Sequence, residues 1–97
     1  MNKYRFYDTC SLILKGEDAF QEHFIISSIT LEELETLKKE SPAVRQLLHL
    51  LDKNSNKYDI HIFKENMLNP IKEENLQINN DMKILATAIN YNKIYPN

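Results

Sequence analysis

His23-Phe24-Ile25-Ile26-Ser27 decides the fold. Three large apolar residues in a row cannot alternate between a core and solvent. A strand built from them is covered on both faces, as in parallel sheets sandwiched by helices. Working back toward the N-terminus, Tyr4–Tyr7 alternates aromatic and polar residues and reads as a short strand. Asp8-Thr9-Cys10-Ser11 follows as a turn or helix start, and Leu12–Leu14 continue apolar. Lys15-Gly16-Glu17-Asp18 holds the only glycine and reads as a helix stop and loop. The 16 residues from Asp8 to His23 suffice for one crossover between parallel strands.

Toward the C-terminus, Thr30–Lys39 reads as a helix with Leu31, Leu34 and Leu37 three apart. Ser41-Pro42 opens another, proline being favoured at the first helical position. Val44, Leu47, Leu48 and Leu51 fit the i, i+3, i+4, i+7 pattern of an amphipathic helix, and Asn54–Asn56 ends it. Tyr58–Phe63 sets Tyr58, Ile60 and Ile62 against Asp59 and His61, as in a half-exposed strand near a sheet edge. Lys64–Gln77 contains Pro70, lacks periodicity and reads mostly as loop. Asn79 or Asn80 caps a last helix striped by Met82, Leu85, Ala86 and Ile89, and Pro96 stops it. Strands alternating with helices predict a small α/β domain with a parallel sheet.

The 97 residues fit one domain, 1–97, with one modest core. Hydrophobic and charged contents of 42% and 27% are those of an ordinary globular protein. Cys10 is the single cysteine, so no intramolecular disulfide can form and a reducing compartment is expected. Met1–Tyr7 does not lead into an apolar run, and no segment approaches the ~18 apolar residues of a membrane span. The expectation is a cytoplasmic protein with no membrane partner. A net charge of −2 argues against simple coating of nucleic acid, which needs a basic face. It weighs less against an enzyme that meets phosphate through a bound cation.

Asp8, Glu33 and Asp81 each stand where an apolar segment gives way to a helical pattern. In an open parallel sheet that delivers three carboxylates to the crevice beyond the strand ends, where ligands bind. Three convergent carboxylates suit a hard cation, Mg²⁺ or Mn²⁺. Each acid also has a structural explanation. Asp8 is a standard N-cap, Thr30 and Glu33 form the T-x-x-E pattern of a capping box, and Asp81 lies in a first turn, where the helix dipole favours negative charge. Capping and metal binding do not exclude each other.

Three stretches, taken in order, resemble the motifs of the PIN-domain nucleases: Tyr7-Asp8-Thr9-Cys10-Ser11-Leu12, Ile26-Ser27-Ser28-Ile29-Thr30-Leu31-Glu32-Glu33-Leu34 and Asn80-Asp81-Met82-Lys83-Ile84-Leu85-Ala86-Thr87-Ala88. In that family an Asp ends the first strand, a Glu before Leu lies in the helix after the second, and an Asp opens a later helix. The resemblance runs from Tyr4 to Ile89. It implies a metal-dependent ribonuclease in which Asp8, Glu33 and Asp81 are the catalytic residues and hold Mg²⁺ or Mn²⁺, with RNA as substrate. Glu33 is preferred to Glu32 because it precedes Leu34. Thr9 and Ser11 are candidates for a nearby hydroxyl, and Asn80 for orienting Asp81.

The resemblance departs at the end. The family usually continues into another strand beside the first, with a further Asp, whereas this chain ends at Tyr95-Pro96-Asn97. The expected fold is therefore a PIN-like three-layer α/β/α with a short parallel sheet lacking the final strand or strands. The first strand then becomes an edge, opposite the third, with unpaired backbone groups. That edge is a place for a homodimer contact. A non-catalytic PIN-like module that binds RNA or protein is the alternative to the nuclease. Some family members are toxins held by an antitoxin protein, but no residue here points to such a partner.

The remaining candidates are weaker. His23, His49 and His61 lack the spacing of a zinc site and are expected in structural or surface roles. Cys10 is expected as a small core residue. One glycine rules out a Gly-rich phosphate loop. Lys38, Lys39, Lys53, Lys57, Lys64 and Lys72 are candidates for an RNA path, against the ordinary reading of a solvated surface.

Overall fold

Phe24–Ser27 forms the central strand, β2, and all four of its residues are buried. The structure is a computed structural model that describes residues 4–69 and 78–95. The other elements are β1 (Arg5–Tyr7), α1 (Thr9–Lys15), α2 (Ser28–Leu37), α3 (Pro42–Lys53), β3 (Tyr58–His61) and α4 (Asn80–Ile94). Short 3₁₀ turns at Gly16–Gln21, Ser55–Lys57 and Glu65–Leu68 join them. The sheet order is β1-β2-β3, and both pairings are parallel. Among the described residues nothing pairs with the outer edge of β1.

Strand register assigns the two faces. Tyr7, Phe24, Ile26 and Tyr58 share one side of the sheet, because Tyr7 lies opposite Ile26 and Phe24 opposite Tyr58. On that side they pack with Leu12 of α1, Leu34 of α2, and Val44, Leu47 and Leu51 of α3. The Phe24 ring stacks on Tyr58 and meets Tyr7 edge-on, with centroids 5.5 Å apart in both pairs. Phe6, Ser27 and His61 lie on the other side, under α4. There Phe6 packs on Tyr91, the Ser27 and Thr87 hydroxyls lie 3.0 Å apart, and His61 Nε2 is 2.8 Å from Asn90 Oδ1. The architecture is three layers, α/β/α, as the sequence leads one to expect.

Each helix begins with a side-chain cap. The amides of Ser11, Ile29, Val44 and Met82 donate to the side chains of Asp8, Ser27, Ser41 and Asn79. Gly16 ends α1 at φ +56°, a left-handed conformation that suits glycine. His23 bonds Asp59 at 2.9 Å, His61 bonds Asn90 and His49 is exposed, matching their expected structural or surface roles.

Several expectations are corrected. Ser27 takes the cap, so α2 starts at Ser28, not Thr30. The Thr30–Glu33 capping box therefore does not form; Thr30 lies inside the helix and is fully buried. β3 stops at His61, because the Phe63 amide donates to Ser28 Oγ and leaves the ladder. Gly16–Gln21 winds as a 3₁₀ turn instead of a plain loop. Of the expected Lys64–Gln77 loop, Glu65–Leu68 is a 3₁₀ turn with Leu68 buried, and residues 70–77 lie outside the described residues. Cys10 is exposed, since Thr9 and Leu12 take the buried face of α1. Leu37 and Leu85 are exposed as well, because α2 and α4 bury Thr30 and Thr87, which an apolar template does not count.

Phe24→Ala should cost about 3–5 kcal/mol in urea denaturation, the usual penalty for emptying an aromatic core site. Leu14→Ala, at a residue 87% exposed, should stay within about 0.5 kcal/mol. The Tyr58 hydroxyl donates to the Leu51 carbonyl, and burial, aided by the charge of Asp52, raises its pKa above 10.0. A raised pKa means that the folded state holds this proton more tightly than the unfolded chain. The associated stability is intact below the unfolded pKa and falls as pH rises through the folded one. A pH series of urea midpoints should show that alkaline loss, reduced in Tyr58→Phe.

Candidate functional site

The carboxyl ends of the parallel strands gather the candidate residues. Asp8 directly follows β1, so the sheet itself sets its position. Its Oδ1 accepts from the Ser11 amide at 2.7 Å. A carboxylate has about four lone-pair sites, so one capping bond leaves it able to bind a cation. Asp81 lies in the first turn of α4. Residues 81, 84, 85 and 88 follow helical spacing and present one stripe.

Asp8 and Asp81 line one cleft of about 350 Å³. Ser11 and Cys10 contribute from α1, Phe6 from β1, and Ile84, Leu85 and Ala88 from α4. Among the described residues no lysine or arginine lines it. Glu33 opens on a neighbouring hollow of about 290 Å³, with Glu32, Thr36, Leu37 and Asn80. The two hollows meet through a hydrogen-bond bridge. The Thr9 hydroxyl donates to Glu33 Oε1, and Asn80 Nδ2 donates to Glu33 Oε2 at 3.4 Å. Thr9 Oγ1 also lies 3.3 Å from the hydroxyl of buried Thr30, which pins it from behind.

Glu33 is thus tied to the residue after Asp8 and to the residue before Asp81. Asn80 turns to Glu33, not to Asp81 as the sequence suggests. Among the described residues, no group of three or more His, Cys, Asp or Glu side chains could hold a metal ion. The pair Asp8 and Asp81 nevertheless offers the donors Mg²⁺ accepts, since that ion usually takes one or two carboxylates with waters and substrate phosphate completing its shell. Their oxygen-only chemistry also suits Mn²⁺.

Among the described residues, none of the lysines proposed from sequence lines either hollow. Lys38 pairs with Glu35 at 2.6 Å, and Lys72 lies outside the described residues. Phe6, Cys10, Ile84, Leu85 and Ala88 are the cleft residues that sequence reasoning missed. Leu85 had a usable signal, its spacing of four from Asp81, but the apolar template assigned it to the core.

A family model described as "PIN domain" matches residues 7–97. No curated protein and no solved structure matches the chain at a significant level.

The capping role of Asp8 can be separated from any chemistry. Asp8→Asn should change stability by only a few tenths of a kcal/mol, because Asn caps as well as Asp. Asp8→Ala should lose about 1 kcal/mol in the same urea titration, the typical worth of an N-cap.

Proposed function

The chain belongs to the PIN-domain family, and from that premise we propose that it is a divalent-metal-dependent ribonuclease that hydrolyses phosphodiester bonds in RNA. One observation carries the proposal: Asp8, from the end of β1, and Asp81, from the first turn of α4, line a single cleft at the carboxyl edge of the parallel sheet. Fold alone does not fix function, so the weight falls on this pair and on Glu33 beside it.

In this proposal Asp8 and Asp81 hold Mg²⁺ or Mn²⁺, and Glu33, in the adjoining hollow, is the third catalytic carboxylate. The bound ion supplies a more acidic water and positive charge opposite the phosphate. The chain's own residues supply the arrangement. The Ser11 amide holds Asp8 by one oxygen. Thr9 and Asn80 grip both oxygens of Glu33, restricting its rotation and so the entropy lost when it engages a ligand. Burial of Thr9 and Thr30 gives this tether a rigid base. Ser11 places a hydroxyl on the cleft wall within reach of a bound oxygen.

The net charge of −2 fits this division of labour, since the cation, not a basic surface, meets the phosphate. We place the protein in a reducing compartment, the cytoplasm, because Cys10 is an exposed free thiol. Among the described residues the outer edge of β1 is unpaired, and it offers backbone donors and acceptors to a second copy of the chain.

Incubation of a labelled single-stranded RNA with Mn²⁺, Mg²⁺ or EDTA tests the proposal. Cleavage should require the metal and fall at least about 100-fold in Asp8→Asn and in Asp81→Asn, the scale on which single catalytic groups act. Folded protein that does not cleave, or cleavage indifferent to both substitutions, would overturn it in favour of a non-catalytic RNA- or protein-binding module.

A further inference from the structure

Two fully buried hydroxyls lie between the sheet and α4, that of Ser27 at the end of β2 and that of Thr87 midway along the helix. Each has one hydrogen to donate. Thr87 gives its own to the Lys83 carbonyl at 2.7 Å. Ser27 Oγ accepts from the Ile29 amide at 3.1 Å, which leaves its hydrogen for Thr87 Oγ1, 3.0 Å away. The bonds therefore run one way, from the first turn of α2 through Ser27 and Thr87 to the carbonyl two residues past Asp81. We infer that Ser27 and Thr87 are positioning residues that hold Asp81 against Asp8 and sharpen the cleft's selectivity for Mg²⁺ against the larger Ca²⁺. The inference rests on the metal site of the ribonuclease proposal and adds two residues that touch no ligand.

Register shows why this pair reaches the acids. Tyr7 is paired with Ile26, so Asp8 and Ser27 are the next residues along neighbouring strands. Thr87 follows Asp81 by six residues, about 9 Å along the axis at ~1.5 Å per residue. A helix is stiff over that length, so fixing Thr87 beside Ser27 fixes the height of Asp81 above the strand ends. Among the described residues, one other hydrogen bond joins the first half of α4 to another element. It runs from Asn80 to Glu33 at 3.4 Å, exposed and longer than an ordinary bond. The buried pair is the firmer tie, because a slide of α4 would leave the Ser27 hydrogen without a partner in the interior. Such firmness matters most to the smaller ion. Mg²⁺ demands a near-octahedral shell with oxygens at about 2.0–2.1 Å, whereas Ca²⁺ accepts irregular shells at about 2.3–2.6 Å. Two carboxylates carried by different elements meet the first demand only when both are held in place.

Binding of Mn²⁺, followed by the electron paramagnetic resonance signal of the free ion, and its displacement by Mg²⁺ or Ca²⁺ test the inference without turnover. In Thr87→Val and in Ser27→Ala the Mg²⁺ dissociation constant should rise about 10-fold, the lower end of the scale for groups that orient metal ligands. The Ca²⁺ constant should move much less. Thr87→Ser should restore the wild-type ratio, and the double variant should lose no more than either single one, since both break the same chain of bonds. Circular dichroism confirms folding, and Thr87→Ala serves in place of Thr87→Val if the valine is not accommodated. Folded variants with the wild-type Mg²⁺ constant, or with both ions weakened equally as general loosening would produce, overturn the positioning role. If Mg²⁺ binding still depends on Asp8 in that case, the metal site of the nuclease proposal stands without it. Wild-type protein that binds neither Mn²⁺ nor Mg²⁺ overturns both.

Discussion

Complete burial of β2 is the constraint on which the rest of this structure depends. Phe24, Ile25, Ile26 and Ser27 have no solvent-facing side, so the chain must supply a layer of helix on each face and a strand on each edge. Three helices cover the Phe24 and Ile26 face, and α4 covers the other. The neighbouring strands are short and only partly buried. Parallel pairing then sends every strand end in the same direction. The candidate site is a consequence of that geometry.

The two faces are held by different means. Under α1, α2 and α3 the contact is apolar and aromatic, with Phe24 between Tyr7 and Tyr58. Under α4 it is mixed, with the Ser27–Thr87 hydroxyl pair and the His61–Asn90 bond among aromatic contacts. Hydrogen bonds between buried polar groups add modest net stability but fix relative position, because a slip leaves them unpaired. That suits a helix whose first turn must hold Asp81 opposite Asp8. Apolar packing tolerates small shifts more readily.

A structural role and a proposed catalytic one coincide at Asp8. It caps α1 through one oxygen and faces the cleft with Asp81. Glu33 differs, because its expected capping partner is absent. Instead Thr9 and Asn80 bind it, drawing α1, α2 and α4 to one point. One carboxylate thus ties three helices, and its two tethering residues flank the other two acids in sequence. A negative group placed among such neighbours is costly for folding alone unless its partners satisfy it, and here they do.

Hydrophobic patterning and caps made much of this legible in sequence. Phe24-Ile25-Ile26 required a doubly covered strand, Ser41-Pro42 marked α3, Asn79 marked α4, and Asp8 marked α1. These are local effects, set by the side chain and the few residues around it. The order of the three acid-bearing motifs likewise pointed to the family and to the sheet edge. Tertiary structure alone decided the rest. Whether Ser27 or Thr30 starts α2, whether Leu85 faces the core or a cleft, and whether Asn80 serves Asp81 or Glu33 depend on partners 21 residues or more away in sequence. Periodicity reports that a helix has a buried side but not which polar residues can be buried with it. In the interior Thr30 and Thr87 meet Thr9 and Ser27, and those meetings exist only once the sheet has brought the strand ends together.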